Sequence, residues 1–134
     1  MTAPVVDAQP FADALKAALT ATGIAHAEGR KPTVGAGLPY IVWWLDPGTV
    51  TDKTMQGRDG FELVVVFQSY GSSVDAVRFA VSRGRTAAMS LFGAAVGGRR
   101  VQMPENIPAP PMARDDDVSP PLWWQSDEWR YRLT

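Results

Sequence analysis

FELVVVFQSYGSSVDAVRFAVSRGRTAAMSLF, residues 61–92, decides the fold. Phe61, Leu63, Val65 and Phe67 alternate with Glu62, Val64, Val66 and Gln68, the period-two pattern of a strand running to Tyr70. Gly71 and the serines around it make a tight turn. From about Ser73 to Phe92 the period lengthens to that of a helix. Val74, Val77, Val81, Ala88 and Leu91 form its buried stripe, and Arg78, Ser82, Arg85 and Thr86 face outward. Ser72 and Asp75 have capping-box spacing, and Gly84 permits close approach to a sheet. The segment is built for packing and holds no obvious catalytic group.

Upstream, YIVWWL (residues 40–45) is apolar on both faces and reads as a strand with a second covered face. Between it and the 61–70 strand lies DPGTVTDKTMQGRDG, residues 46–60, which makes the pair a hairpin with a long loop. Loops of that length in small domains are usually functional. A first helix spans about Ala8–Thr22, with Phe11, Ala14, Leu15, Ala18 and Leu19 on one stripe, Pro10 in its first turn and Gly23 at its stop. Residues 28–39, rich in Gly and Pro, read as loop.

Downstream, Arg99–Met103 reads as a short strand. Residues 104–125 are Pro-rich and extended, without a core of their own, and Ser126–Leu133 is a half-buried strand. The order α-β-β-α-β-β predicts one α+β domain over residues 1–134. Its mainly antiparallel sheet has about four to five strands, with both helices on one face.

Composition removes several function classes. With 134 residues and no cysteine, the chain has no disulfide, thiolate nucleophile or Cys-based zinc site. A net charge of -1 gives no bulk attraction to nucleic acid or acidic membrane. No apolar run is long enough to span a bilayer, and the N-terminus MTAPVVDAQP lacks the basic start and apolar centre of a secretory signal.

Candidate chemistry is sparse. His26, the only histidine, reads as a surface or capping residue in a loop just past the first helix, without the companions a catalytic base or metal site needs. Asp115, Asp116 and Asp117 are consecutive, whereas calcium loops space their carboxylates around a glycine turn. They read as solvated acids or as acids that meet a basic patch on a neighbouring copy. Ser69, Ser72 and Ser73 fit a turn and a helix cap better than a phosphate loop, since no Gly-rich phosphate motif is present. Arg78, Arg83, Arg85, Arg99 and Arg100 read as a solvated face rather than a DNA track. Trp43 and Trp44 are adjacent on a strand and so face opposite ways. One enters the core, and the other either joins an exposed apolar patch with Ile41, Leu45, Val64 or Val66 or is covered by the 104–125 segment.

Four pieces in order carry a resemblance: the N-terminal amphipathic helix, PYIVWWLDPG, FELVVVFQSYGSSVDAVRFAVSRGR, and the acidic Pro-rich end RDDDVSPPLWWQSDEWRYRL. In this layout, over most of its length, the chain resembles the tail terminator proteins of long, non-contractile-tailed bacteriophages. The resemblance implies a small α+β fold assembled into a hexameric ring. Such a ring caps the tail tube, ends its polymerisation and offers the surface for head joining. It implies no catalytic residue, cofactor or metal. The partners are further copies, tail tube protein and head-tail connector proteins, with DNA only passing through the ring, in the virion and in the host cytoplasm during assembly. The 46–60 loop then becomes a contact arm, and the expected contact residues are Trp43, Thr51, Lys53, Met55, Arg58, Asp59, Arg99 and Asp116. The Trp-rich strand and the triple Asp depart from the shared layout. The rival readings are a head-completion or neck connector protein, a small α+β ligand-binding domain or enzyme, and an accessory DNA-binding protein.

Overall fold

The structure, a computed structural model, describes residues 7–32, 37–50 and 60–134. Helix α1 (Gln9–Ala21) has Pro10 in its first turn and turns Phe11, Ala12, Leu15 and Leu19 inward. Strand β1 (Ala25–Glu28) follows, then β2 (Tyr40–Leu45), β3 (Thr49–Val50) and β4 (Phe61–Gly71). Helix α2 (Val74–Ser90) comes next, then β5 (Ala95–Val96), β6 (Arg99–Arg100), β7 (Glu105–Ile107), β8 (Ala113–Asp115) and β9 (Leu122–Leu133).

Among the described residues the main sheet has seven strands in the order β1-β2-β4-β9-β7, with β3 appended to β4 and β8 to β9. All pairings are antiparallel except β1 with β2. The α+β class and the hairpin of β2 with β4 are as the sequence predicts. The sheet is wider than expected, because two segments read as loop or extended chain pair at its edges. Ala25–Glu28 lies parallel to β2, and the Pro-rich segment supplies β7 and β8. Prolines exclude that segment from a sheet interior but not from an edge, where only one side of the strand needs N–H donors. The last strand also begins at Leu122 rather than Ser126, so Trp123 and Trp124 are strand residues. The expected 99–103 strand is shorter. Arg99 and Arg100 pair with β5 in a two-residue hairpin, and Val101 bridges to Leu133.

Both helices cover the face formed by Ile41, Trp43, Phe61, Leu63, Val65, Phe67, Trp129, Tyr131 and Leu133. Burial of each large side chain there contributes about 1.5–3 kcal/mol. Helix α2 is capped by Ser73, whose hydroxyl accepts from the Ala76 N–H, so the cap sits one residue later than the Ser72–Asp75 box expected. Its buried stripe is Val77, Ala80, Gly84, Ala87 and Ala88, a run of small residues, while Val74 and Val81 lie partly exposed. A Cβ on Gly84 would stand 3.3 Å from Ile41 Cδ1, so this glycine lets the helix lie close on the sheet. Phe11 of α1 meets Tyr131 edge-on at 4.7 Å, and the Tyr131 hydroxyl donates to the Ala88 carbonyl at 2.8 Å. Burial raises the pKa of that hydroxyl far above its ordinary value.

Candidate assembly surfaces

The second face of the sheet carries no helix. On it Tyr40, Val42 and Trp44 of β2 lie opposite Tyr70, Gln68 and Val66 of β4, with Val64 next along β4 and Trp124 of β9 opposite Tyr70. Tyr40 and Tyr70 stack at 5.2 Å, and the Lys31 ammonium lies 5.8 Å from the Tyr40 ring. Burial raises both tyrosine pKa values, and Tyr40 adds to the shift at Tyr70, so both hydroxyls stay protonated at neutral pH. Tyr40 and Val42 are buried, whereas Trp44 is 41% exposed and Val64 and Val66 are partly so. The result is a partly exposed apolar band at Trp44, Val64 and Val66, with the polar Gln68 beside it. Exposed apolar surface of this kind makes the band a candidate contact surface.

Towards the other end of the same face the band gives way to ions. Arg130 Nε meets Glu62 Oε1 at 3.0 Å and Arg130 Nη1 meets Glu105 Oε2 at 3.7 Å. Arg132 Nη2 reaches Glu62 Oε2 at 3.8 Å. Exposed pairs like these stabilise the fold by at most about 1 kcal/mol each.

A second concave surface lies on the helix side. Between α2 and the 106–112 strap runs an open groove of about 990 Å³, lined on the helix by Arg78, Val81, Ser82, Arg85, Thr86 and Met89. Its opposite wall is Pro108–Met112 and its floor Gln125–Asp127. Asp127 is buried there and fully engaged. Arg85 donates to it twice, at 3.1 and 3.2 Å, Asn106 Nδ2 at 3.0 Å and Trp129 Nε1 at 3.1 Å. The Arg85 pKa is raised, chiefly by its hydrogen bond to Asp127. This cluster ties α2, β7 and β9 together. Its polar groups hydrogen-bond one another. Sequence reading passed over it, although one signal was present: Asp127 falls on the same parity as Trp129, Tyr131 and Leu133, a carboxylate on the inward face.

The expected contact residues are not gathered in one place. Trp43 has 0% exposure and lies under the helices, because its parity on β2 matches Ile41. On this strand it is therefore Trp44 that is free to touch a partner. Thr51, Lys53, Met55, Arg58 and Asp59 lie outside the described residues. Arg99 sits on the β5–β6 hairpin, with its guanidinium 5.8 Å from the Phe61 ring at the Leu133 end of β9. Asp116 follows β8 at the Leu122 end and pairs with Arg114 at 2.6 Å. The length of β9 separates those two sites, about 35 Å at the usual rise per residue. His26 is a strand residue packed between Thr20 and Trp43, not a loop residue. Among the described residues no group of three or more His, Asp or Glu is placed to hold a metal ion.

No protein-family model and no curated protein matches this sequence. Among solved structures, the chain is similar to a chain in the virion of a native gene transfer agent particle. The TM-score is 0.65 at 19% identity, over 94% of this chain and 96% of that one. At that identity the likeness is one of fold.

Proposed function

We propose that this protein is a structural component of a phage or phage-like virion, and more narrowly a tail terminator. In this reading it closes the end of the tail tube as a ring of copies, stops tube growth and presents the surface that joins the head. The observation that carries the reading is the apolar band of Trp44, Val64 and Val66 on a sheet face without helices. A domain of this size that leaves such a band open is built to associate. The near full-length likeness to a virion chain supports the same conclusion, since both chains use almost all their residues to make the shared fold. The resemblance in layout to phage tail terminators supports the narrower role.

A ring needs two different patches on each copy. The band is one. The segment holding Thr51, Lys53, Met55, Arg58 and Asp59, between β3 and β4, is proposed as a further contact with the tube or a neighbour, along with Arg99 and Asp116. A hexamer is the expected stoichiometry. The second reading is a head-completion or neck connector protein, which would use the same open band.

Deleting the protein from its particle discriminates the two. Loss of a terminator gives tails of uncontrolled length, and purified protein binds tail tube protein in a mass measurement. Tails of normal length, with binding to portal-containing heads instead, would move the role to the neck. A monomer under every condition, with no affinity for either partner, would sink both.

A further inference from the structure

We propose that the groove between α2 and the 106–112 strap receives the hairpin tip at residues 116–121 of a second copy of this chain. The inference rests on the ring reading above and names one of its contacts.

The groove is open to solvent, so a length of chain from outside can enter it. Its apolar lining is Val81, Met89, Met112 and prolines of the strap. Its charges are two arginines against one aspartate. Arg85 is committed to Asp127. Arg78 is not held so firmly. Its ion pair with Asp75 at 3.6 Å joins side chains 71% and 95% exposed, so water competes with it and little is lost on exchange. The groove therefore offers a cation beside a greasy trough.

The tip displays the complement. Its sequence is Asp116-Asp117-Val118-Ser119-Pro120-Pro121, all exposed. Val118 is 44% exposed, an apolar side chain held in water next to two acids. The tip is already shaped: the Asp117 N–H donates to Asp115 Oδ1 at 3.0 Å, and Arg114 braces Asp116. Pre-ordering of this kind lowers the entropy lost on docking. The tip cannot enter its own groove. Strand β8 starts at Ala113, just past the Met112 wall, and carries the chain outward, so the tip lies beyond Leu122, past the end of β4 at Gly71. A second copy must supply it. Because groove and tip are different patches set apart along β9, the contact is head-to-tail, the kind that closes into a ring.

The absence of native cysteine gives a clean test. Two single variants, Ser82→Cys on the groove wall and Val118→Cys on the tip, are mixed and oxidised under conditions where the wild-type mass is measured, with and without tail tube protein. The expected result is a disulfide-linked pair of unlike variants, and a ladder of multimers from the double variant. A pairing of Val118→Cys with Asp13→Cys, on the far side of α1, stays unlinked. Arg78→Glu weakens assembly about tenfold or more, as does Asp116→Arg with Asp117→Arg, and the combined swap restores it. A multimer of normal mass without the Ser82–Val118 link would overturn this docking and leave the ring reading standing. A link from the groove to tube protein instead would also overturn it. A monomer throughout would remove both.

Discussion

Arg85 on α2 grips Asp127 on β9 through two hydrogen bonds, and it does so at the border between buried core and open groove. The carboxylate is buried while the guanidinium remains half in water. Replacement of Asp127 by Ala leaves the Trp129 indole N–H without its partner and loosens Arg85 and Asn106 together. The expected loss is about 2–3 kcal/mol. Arg85→Ala costs less, about 1–2 kcal/mol, because water reaches the vacated side of the carboxylate. Urea unfolding midpoints of the two variants check the order. Equal stability for Asp127→Ala and wild type would mean the cluster is no anchor.

Adjacent tryptophans have opposite fates. Trp43→Ala removes a fully buried ring and lowers stability by about 3–5 kcal/mol. Trp44→Lys costs less, about 1–2 kcal/mol, since part of its side chain stands on the open face. The same substitution puts a charge into the apolar band and abolishes association. Thermal melts together with solution mass separate the effects, and a Trp44→Lys protein that still assembles would remove the band from the interface.

His26 makes the fold acid-sensitive. Its Nδ1 accepts from Trp43 Nε1–H at 3.3 Å. Thr20 Oγ1, already donating to the Lys16 carbonyl, lies 2.9 Å from Nε2 and accepts the Nε2–H hydrogen bond. The ring is thus held as the neutral Nε2–H tautomer. Burial lowers its pKa below the ordinary 6.5, and the Lys16 charge lowers it further. The unfolded chain therefore binds the proton more readily. Stability contributed by neutral His26 is full above pH 6.5 and is lost as pH falls through the folded-state value. Denaturation midpoints from pH 7.5 to 5 fall for wild type. In His26→Gln that part of the slope flattens, and an unchanged slope would contradict the mechanism.

Ser69 is 1% exposed on the helix-covered face, and its hydroxyl has no hydrogen-bond partner among the described residues. Ser69→Ala removes an uncompensated polar group and raises stability by about 1 kcal/mol, read as a higher melting temperature. A lower melting temperature would reveal a partner for the hydroxyl.

What was legible in the sequence was whatever local periodicity carries. The alternation from Phe61 to Gln68 and the helical stripe through Val77 and Ala88 gave β4, α2 and the covered face. The assignment of small residues at Ala80 and Ala87 to that stripe depended on how closely α2 lies on Ile41, a tertiary fact. The edge strands were opaque for a different reason. Ala25–Glu28, Glu105–Ile107 and Ala113–Asp115 have little β-propensity of their own and form because β2 and β9 present unpaired edges to them. Parity told that one of Trp43 and Trp44 faces out, but only the register against Phe67 and Val66 decided which. The acidic run at Asp115–Asp117 was visible as charge, and its place on a hairpin tip was not.

Strand β9 pairs with β4 along eleven positions and also holds β7, β8 and Val101. It is also translated after every segment it pairs with. While the ribosome works through residues 72–121, the nascent chain carries β4 with one edge unzipped and its greasy side only half roofed. No local rearrangement closes that gap, because the missing partner does not yet exist, and such long-range pairing forms slowly. Folding is therefore gated by delivery of the closing strand. A holdase that shields β4 during synthesis should raise the yield of native molecules more than one that acts after release.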